Sequence, residues 1–162
     1  MFWGVEGGNV DAKGRLKLSA SIRRLFKQRY PRPGAGEGVP GKDAFVTSLN
    51  GREIKVFPTR EWAKVQEWLS ARPGDGAGKS DGKRNNRLLA NAMHFGKSEN
   101  IDAQGRVLLP AMIRSSSGIS GPVKIQWRIH HLIVMSEADY NAFMKANELT
   151  SDDLEYAANL GL

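Results

Sequence analysis

Residues 15–18 alternate cation and leucine: Arg15 and Lys17 fall on one side, Leu16 and Leu18 on the other. That period of two predicts a short strand with one buried face. The preceding Asp11-Ala12-Lys13-Gly14 puts Asp at the first and Gly at the fourth position of a type I turn. Gly14 can then adopt the left-handed conformation that closes such a hairpin. A short helix is predicted from about Ala20, and two further strands over about 44–49 and 53–57. Trp62, Val65 and Leu69 then recur at helical spacing on one face of an amphipathic helix. The succession returns later in the chain. The turn Asp102-Ala103-Gln104-Gly105 leads into a strand, Arg106-Val107-Leu108-Leu109, that lacks the second cation. A helix begins near Pro110, a residue suited to the first helical position. Strands are predicted over 123–128 and 131–135, then a helix with Tyr140, Phe143 and Met144 on one face. Ser136-x-x-Asp139 forms a capping box for that helix.

Aligned without gaps, residues 9–23 and 100–114 match at nine of 15 positions, 91 residues apart. Residues 54–62 parallel 132–140 at an offset of 78. The first copy therefore holds about 13 extra residues, which Tyr30–Lys42 supplies as a Pro/Gly-rich loop without apolar periodicity. The domain reading follows. Residues 1–71 make a first module with its helix (hairpin core about 5–60), and 91–149 a second module with its helix. Between them, 72–90 is a Gly-rich basic linker with a lead-in helix near Asn85–His94, and 150–162 is an acidic C-terminal helix. One hairpin unit alone is too small to bury an adequate core. Two copies in one chain therefore predict a fused pseudo-dimer in which strands of one repeat pack on the other. The expected fold class is mixed α+β, mainly β.

Composition sharpens this at few points. The 162 residues carry 24 Lys and Arg against 17 Asp and Glu, net +7. Residues 1–90 hold 18 against 9, whereas 91–162 hold 6 against 8, so the basic excess belongs to the first half. That asymmetry points to a polyanion at one end, or to a solvated basic surface. The absence of cysteine removes disulfides, thiolate metal sites and thiol nucleophiles. No apolar run approaches the ~18 residues of a membrane span, and the N-terminal residues lack a signal-peptide pattern. A soluble cytoplasmic protein is expected.

The tandem Asp-x-x-x-Arg turns, Asp11 to Arg15 and Asp102 to Arg106, resemble the MraZ family of bacterial transcriptional regulators. So do the Met1-Phe2-x-Gly4 start and Pro58-x-x-x-Trp62. The resemblance runs from Met1 to about Asn147, with departures at Trp3, where the family has a basic residue, and Ser19, where it has proline. It implies two tandem AbrB-like (SpoVT-AbrB) swapped-hairpin modules forming an intrachain pseudo-dimer, each followed by an amphipathic helix. It implies a homo-oligomeric, ring-forming repressor, nucleoid-associated, whose first hairpin presents an arginine to DNA. The implied target is a set of short tandem promoter repeats upstream of a cell-division and cell-wall gene cluster.

Apart from that resemblance, a guanidinium beside a tight turn is held stiffly enough for bidentate bonds to guanine O6 and N7. Arg15 is the candidate reader of double-stranded DNA, with Lys13, Lys17, Arg23 and Arg24 on phosphates. The alternative is an ion pair of Arg15 with Asp11 or with an acid of the other repeat. For Arg106, in the acidic half, the ion pair is the favoured reading, with secondary DNA contact open. Asp11, Gly14, Asp102 and Gly105 are read as turn residues. Enzyme signals fail. Gly78-Lys79-Ser80 lacks the first P-loop glycine, and Gly34-Ala35-Gly36-Glu37-Gly38 lacks the dinucleotide spacing. His130 and His131 are adjacent, so on a strand they face opposite ways and do not chelate one metal. No cofactor, metal, small-molecule substrate or membrane is expected. The rival to a DNA-binding regulator is a protein-interaction module, such as an AbrB-type antitoxin or ring scaffold.

Overall fold

The computed structural model of the chain describes residues 4–30, 41–71 and 82–162. Trp3, most of the Tyr30–Lys42 loop and the linker segment 72–81, including both glycine-rich motifs, lie outside the described residues. The first repeat forms β1 (Val5–Val10), β2 (Arg15–Lys17), α1 (Ala20–Arg29), β3 (Ala44–Ser48), β4 (Ile54–Pro58) and α2 (Thr59–Ser70). Next comes α3 (Gly82–Phe95). The second repeat forms β5 (Lys97–Glu99), β6 (Arg106–Leu108), α4 (Ala111–Ser117), β7 (Gly121–Arg128), β8 (His131–Ser136) and α5 (Glu137–Ala146). The last helix is α6 (Ser151–Asn159). The architecture is mixed α/β, with strands in the centre and helices around them.

All eight strands join one sheet in the order β5-β3-β4-β8-β7-β1-β2-β6. Every pairing is antiparallel. The two edge strands, β5 and β6, are consecutive in the chain, so the sheet curls nearly into a barrel. The first strand of each repeat lies on the third strand of the other: β1 on β7 over Val5↔Gln126 to Val10↔Gly121, and β5 on β3 over Ala44↔Glu99 to Val46↔Lys97. The second strands pair through Leu16↔Val107 and the fourth strands through Lys55↔Ile133. Both are equivalent positions of the repeat, so a pseudo-two-fold axis passes through them.

The period-two pattern puts Leu16, Leu18, Val107 and Leu109 into one core with Ile22, Val46, Ile54, Val56, Ile113, Ile125, Leu132 and Val134. This core draws on both repeats, as a pair of half-sized units requires. A second cluster fills the space between sheet and helices, with Phe45 stacked on Trp62 at 4.3 Å and Ala92 of α3 beside them. The strand β3 is buried at all five positions because the core covers one face and α2 and α3 the other.

Three local expectations change. Tyr140 is half-buried, but Phe143 and Met144 are exposed and no residue of α5 is buried, so the predicted apolar face does not reach the core. The Ser136 hydroxyl accepts from Asp139 N at 3.0 Å, but the Asp139 carboxylate goes to Arg52 at 2.7 Å, leaving half a capping box. Thr150 and Asp153 make the complete box, on α6. Pro110 sits at the N-cap of α4, one position before the helix. In the first repeat Ser19 takes that place, and its hydroxyl accepts from Ile22 N. His130 lies in the β7–β8 turn, 3.3 Å from the Glu61 carboxylate, and His131 opens β8, stacked on Phe57 at 4.3 Å.

The two turns interlock across the pseudo-axis. Gly14 and Gly105 have φ of +77° and +79°, the left-handed conformation that glycine tolerates best. A Cβ on Gly105 would stand 2.2 Å from Arg23 Cδ, and one on Gly14 2.2 Å from Arg114 Cδ. Each glycine therefore admits the arginine of the opposite repeat. The backbones close the same seam, Leu18 N donating to Gly105 O at 2.8 Å and Leu109 N to Gly14 O at 2.9 Å.

Gly105→Ala combines backbone strain with displacement of Arg23, and is expected to cost about 2–4 kcal/mol in urea unfolding. Gly118, also left-handed but with open space around its Cβ position, provides the control. Its Gly→Ala change should cost only about 1 kcal/mol. Equal losses at the two sites would show that the seam contributes nothing beyond strain. His131 supplies a second test. Burial, then Lys55, Arg128 and His130, lower its pKa from 6.5 to about 4. The unfolded chain binds the extra proton between those values, so stability is intact above pH 6.5 and declines towards pH 4. The decline attributable to this group is at most about 3 kcal/mol. His131→Phe should remove that part of the pH dependence, read from urea midpoints between pH 4 and 7.

Candidate nucleic-acid interface

Both Asp-x-x-x-Arg turns are built from the same bonds. Asp11 O accepts from Gly14 N at 2.9 Å, closing the turn. Asp11 Oδ1 accepts from Lys13 N and Arg15 N, and Oδ2 accepts from Arg15 Nε at 2.8 Å. In the second repeat Asp102 does the same for Gln104 N, Arg106 N and Arg106 Nε, again at 2.8 Å. The backbone N–H of the arginine is the main cause holding each carboxyl below its ordinary range, and its side chain adds to this. The aspartate thus shapes the turn and orients the guanidinium. Both arginine side chains are 29% exposed. Among the described residues, their terminal nitrogens meet no other partner.

The ion pair expected for Arg106 is therefore present in equal measure at Arg15. The register Arg15↔Leu108 and Lys17↔Arg106 also sets both arginines and Lys17 on one outward face of the β2–β6 ribbon. The Lys17 ammonium donates to Gln104 O of the opposite turn, so it bridges the repeats on that face. Lys13 is exposed at the tip of its own turn.

Arg23 and Arg24 are placed differently. Arg24 is exposed on α1 beside Lys27, along a groove with Ala20 and Gln28. Arg23 is half-buried over Gly105, its Nε shielded from solvent without a partner. It borders an open groove of about 460 Å³ shared with Lys17, Asn9, Lys124 and Glu137. On its other side is a cleft of about 500 Å³ lined by Phe26, Lys27, Tyr30, Asp43 and Asp102. Lys17 and Arg23 are thus brought to one groove. Arg15, Lys17 and Arg106 share the ribbon.

Sequence reasoning missed two cations. Lys124 enters the groove because β7 lies beside β1, a pairing invisible from its own segment. Arg114 was findable, being the repeat partner of Arg23; it packs over Gly14 and donates from Nε to Leu109 O at 3.1 Å. Among the described residues, no three His, Cys, Asp or Glu side chains are placed to hold a metal ion. Nor is any described helix long and apolar enough to cross a membrane.

The chain is 32% identical to the Transcriptional regulator MraZ of Acidobacterium capsulatum over 162 residues, the whole of both chains. It belongs to the MraZ family. The MraZ regulators of Koribacter versatilis, 26% identical over the whole of both chains, and Aromatoleum aromaticum, 29% identical over 95% of this chain and 94% of that one, are further relatives. No family model matches the chain. Ser19 caps α1 through its hydroxyl, at the place that Pro110 takes before α4 in the second repeat.

Because the two turns share one geometry, Asp11→Ala and Asp102→Ala should lower the thermal midpoint by similar amounts at neutral pH. In each variant the midpoint should fall less than in the parent as pH drops below the carboxylate range, since the missing group no longer titrates. A midpoint unchanged by either substitution would mean that the turn holds without its carboxylate.

Proposed function

We propose that the chain is a sequence-specific DNA-binding transcriptional regulator, a repressor acting on short tandem promoter repeats. In this reading it works in the cytoplasm on the nucleoid, needs no cofactor and catalyses no reaction. The supporting observation is the β2–β6 ribbon, whose outward face carries Arg15, Lys17 and Arg106. A two-stranded ribbon fits the major groove of B-DNA, where an arginine bonded to guanine O6 and N7 discriminates by about 1–3 kcal/mol. Asp11 engages Arg15 through Nε and leaves the two terminal nitrogens facing out, so little side-chain freedom is lost on binding. Lys13 at the turn, Lys17 beside the ribbon and Arg23 and Arg24 on α1 take phosphates and set register. Arg106 is the secondary contact, with Asp102 and Gly105 supporting it as Asp11 and Gly14 support Arg15.

The interleaved pairing of β1 with β7 and β5 with β3 supports a tandem pair of AbrB-like swapped-hairpin modules, residues 1–71 and 91–149. The relatives' names, each a transcriptional regulator, support the regulatory role. Assembly as a homo-oligomeric ring would let neighbouring subunits engage successive repeats, turning weak contacts into avid binding. Family resemblance suggests the promoter of a cell-division and cell-wall gene cluster as the target.

Arg15→Ala should abolish specific binding to repeat DNA from upstream of the protein's own gene, with fold and assembly unchanged. Anisotropy titration against a scrambled duplex measures it, and wild-type affinity in the variant would refute the assignment. Lys13→Ala, Lys17→Ala and Arg24→Ala should each reduce the slope of log K against log salt by about one unit. An unchanged slope removes that residue from the phosphate contacts.

A further inference from the structure

The closing helices of the two repeats are equivalent in sequence and differ in surroundings. α3 lies against α2, and Phe57, Trp62 and Ala92 are shut in beneath it. α5 has no such cover, and Phe143 and Met144 stand 42% and 47% exposed. After a link of four residues, 147–150, α6 begins, and it buries nothing. Leu154, Tyr156 and Leu160 are each more than half exposed. A helix of nine residues is marginal in water without tertiary packing, and the Thr150–Asp153 capping box secures only its first turn. Tyr156 and Leu160 lie four residues apart on one side of the helix and Leu154 on the other, next to Glu155, so each side offers an apolar group for contact.

Its charge selects the partner. Residues 137–162 carry six carboxylate side chains against one lysine. Elsewhere on the same molecule, Leu49, Arg84, Arg87, Leu88 and Asn91 line a small groove between the β3–β4 turn and α3. Among the described residues its lining holds no carboxylate, and its volume of about 130 Å³ has room for one aliphatic side chain. Leu49 and Leu88 are exposed there at 39% and 36%.

We propose that α6 of one copy docks in this groove on a second copy, with Leu154 between Leu49 and Leu88 and Glu155 facing Arg87. The acidic apolar helix and the basic apolar groove lie at different places on one chain, so the contact is head-to-tail. Repetition of such a contact closes into a ring or extends as a filament. The inference deepens the proposed self-association and rests on it, by naming the two surfaces that meet.

The full chain and four variants are compared by sedimentation velocity over a concentration series, with circular dichroism to check folding. Leu154→Asp, Arg87→Glu and Glu155→Arg should each weaken assembly by about tenfold or more, because each sets an uncompensated charge at the contact. The double variant Arg87→Glu/Glu155→Arg restores the opposite charges and should return assembly to near the wild-type level. A wild-type oligomer that all three single substitutions leave intact overturns the interface while self-association stands. So does a double variant no better assembled than its parents. A wild-type chain that stays monomeric throughout overturns both, and neither result bears on Arg15 and DNA.

Discussion

The two hairpin turns interlock because each glycine leaves room for an arginine of the other repeat. Arg23 needs the bare Cα of Gly105, Arg114 needs that of Gly14, and Leu18 and Leu109 complete their backbone bonds on those same glycines. A side chain at either glycine would displace the arginine packed over it. Without that pairing the outward row of Arg15, Lys17 and Arg106 does not exist, since β2 contributes two of the cations and β6 the third. The first strands depend on the same union, because β1 and β5 take their long ladders from β7 and β3 of the opposite half. Stability and the candidate interface thus share one physical cause. Both repeats contribute side chains to one core and strands to one sheet.

Around this symmetric centre the two halves have diverged at the periphery. The first repeat covers its closing helix with α3 and buries an aromatic cluster beneath it. The second sends α6 outward and leaves α5 bare on its apolar face. Charge follows the same division, cations on α1 and α3 against carboxylates on α5 and α6. A chain symmetric in its core and asymmetric at its edges has two unlike surfaces for unlike partners. Cations gather on the ribbon, and carboxylates and exposed apolar groups on α5 and α6.

The parts legible in the sequence are those governed by local physics. Turn chemistry at Asp11–Gly14 and Asp102–Gly105 and the alternation of Leu16 and Leu18 each depend on a few neighbouring residues, and all appear where expected. β1 was hidden because Gly7 and Gly8 depress strand propensity, and β7 supplies the pairing that holds it extended. The amphipathic face of α5 is legible as a pattern, but periodicity identifies an apolar stripe and not what lies opposite, and no residue of α5 is buried. The ion pair does not separate Arg15 from Arg106, because their aspartates hold both in the same way on one face. What differs is the residue across the ribbon, Leu108 opposite Arg15 and Lys17 opposite Arg106.

By itself, then, the sequence determined the repeat, its turn chemistry, the alternating strand that follows each turn and the family to which the chain belongs. These depend on residue identity at fixed short spacing, which no tertiary arrangement alters. Tertiary structure alone decided which strands are neighbours, and hence that Lys17 reaches Gln104, that Lys124 enters the groove of Arg23, and that α2 is covered while α5 is not. Such contacts join residues tens of positions apart, because strand neighbours are set by backbone hydrogen bonds that nearly any residue can make. Their partners are set by the only arrangement in which both half-cores close at once.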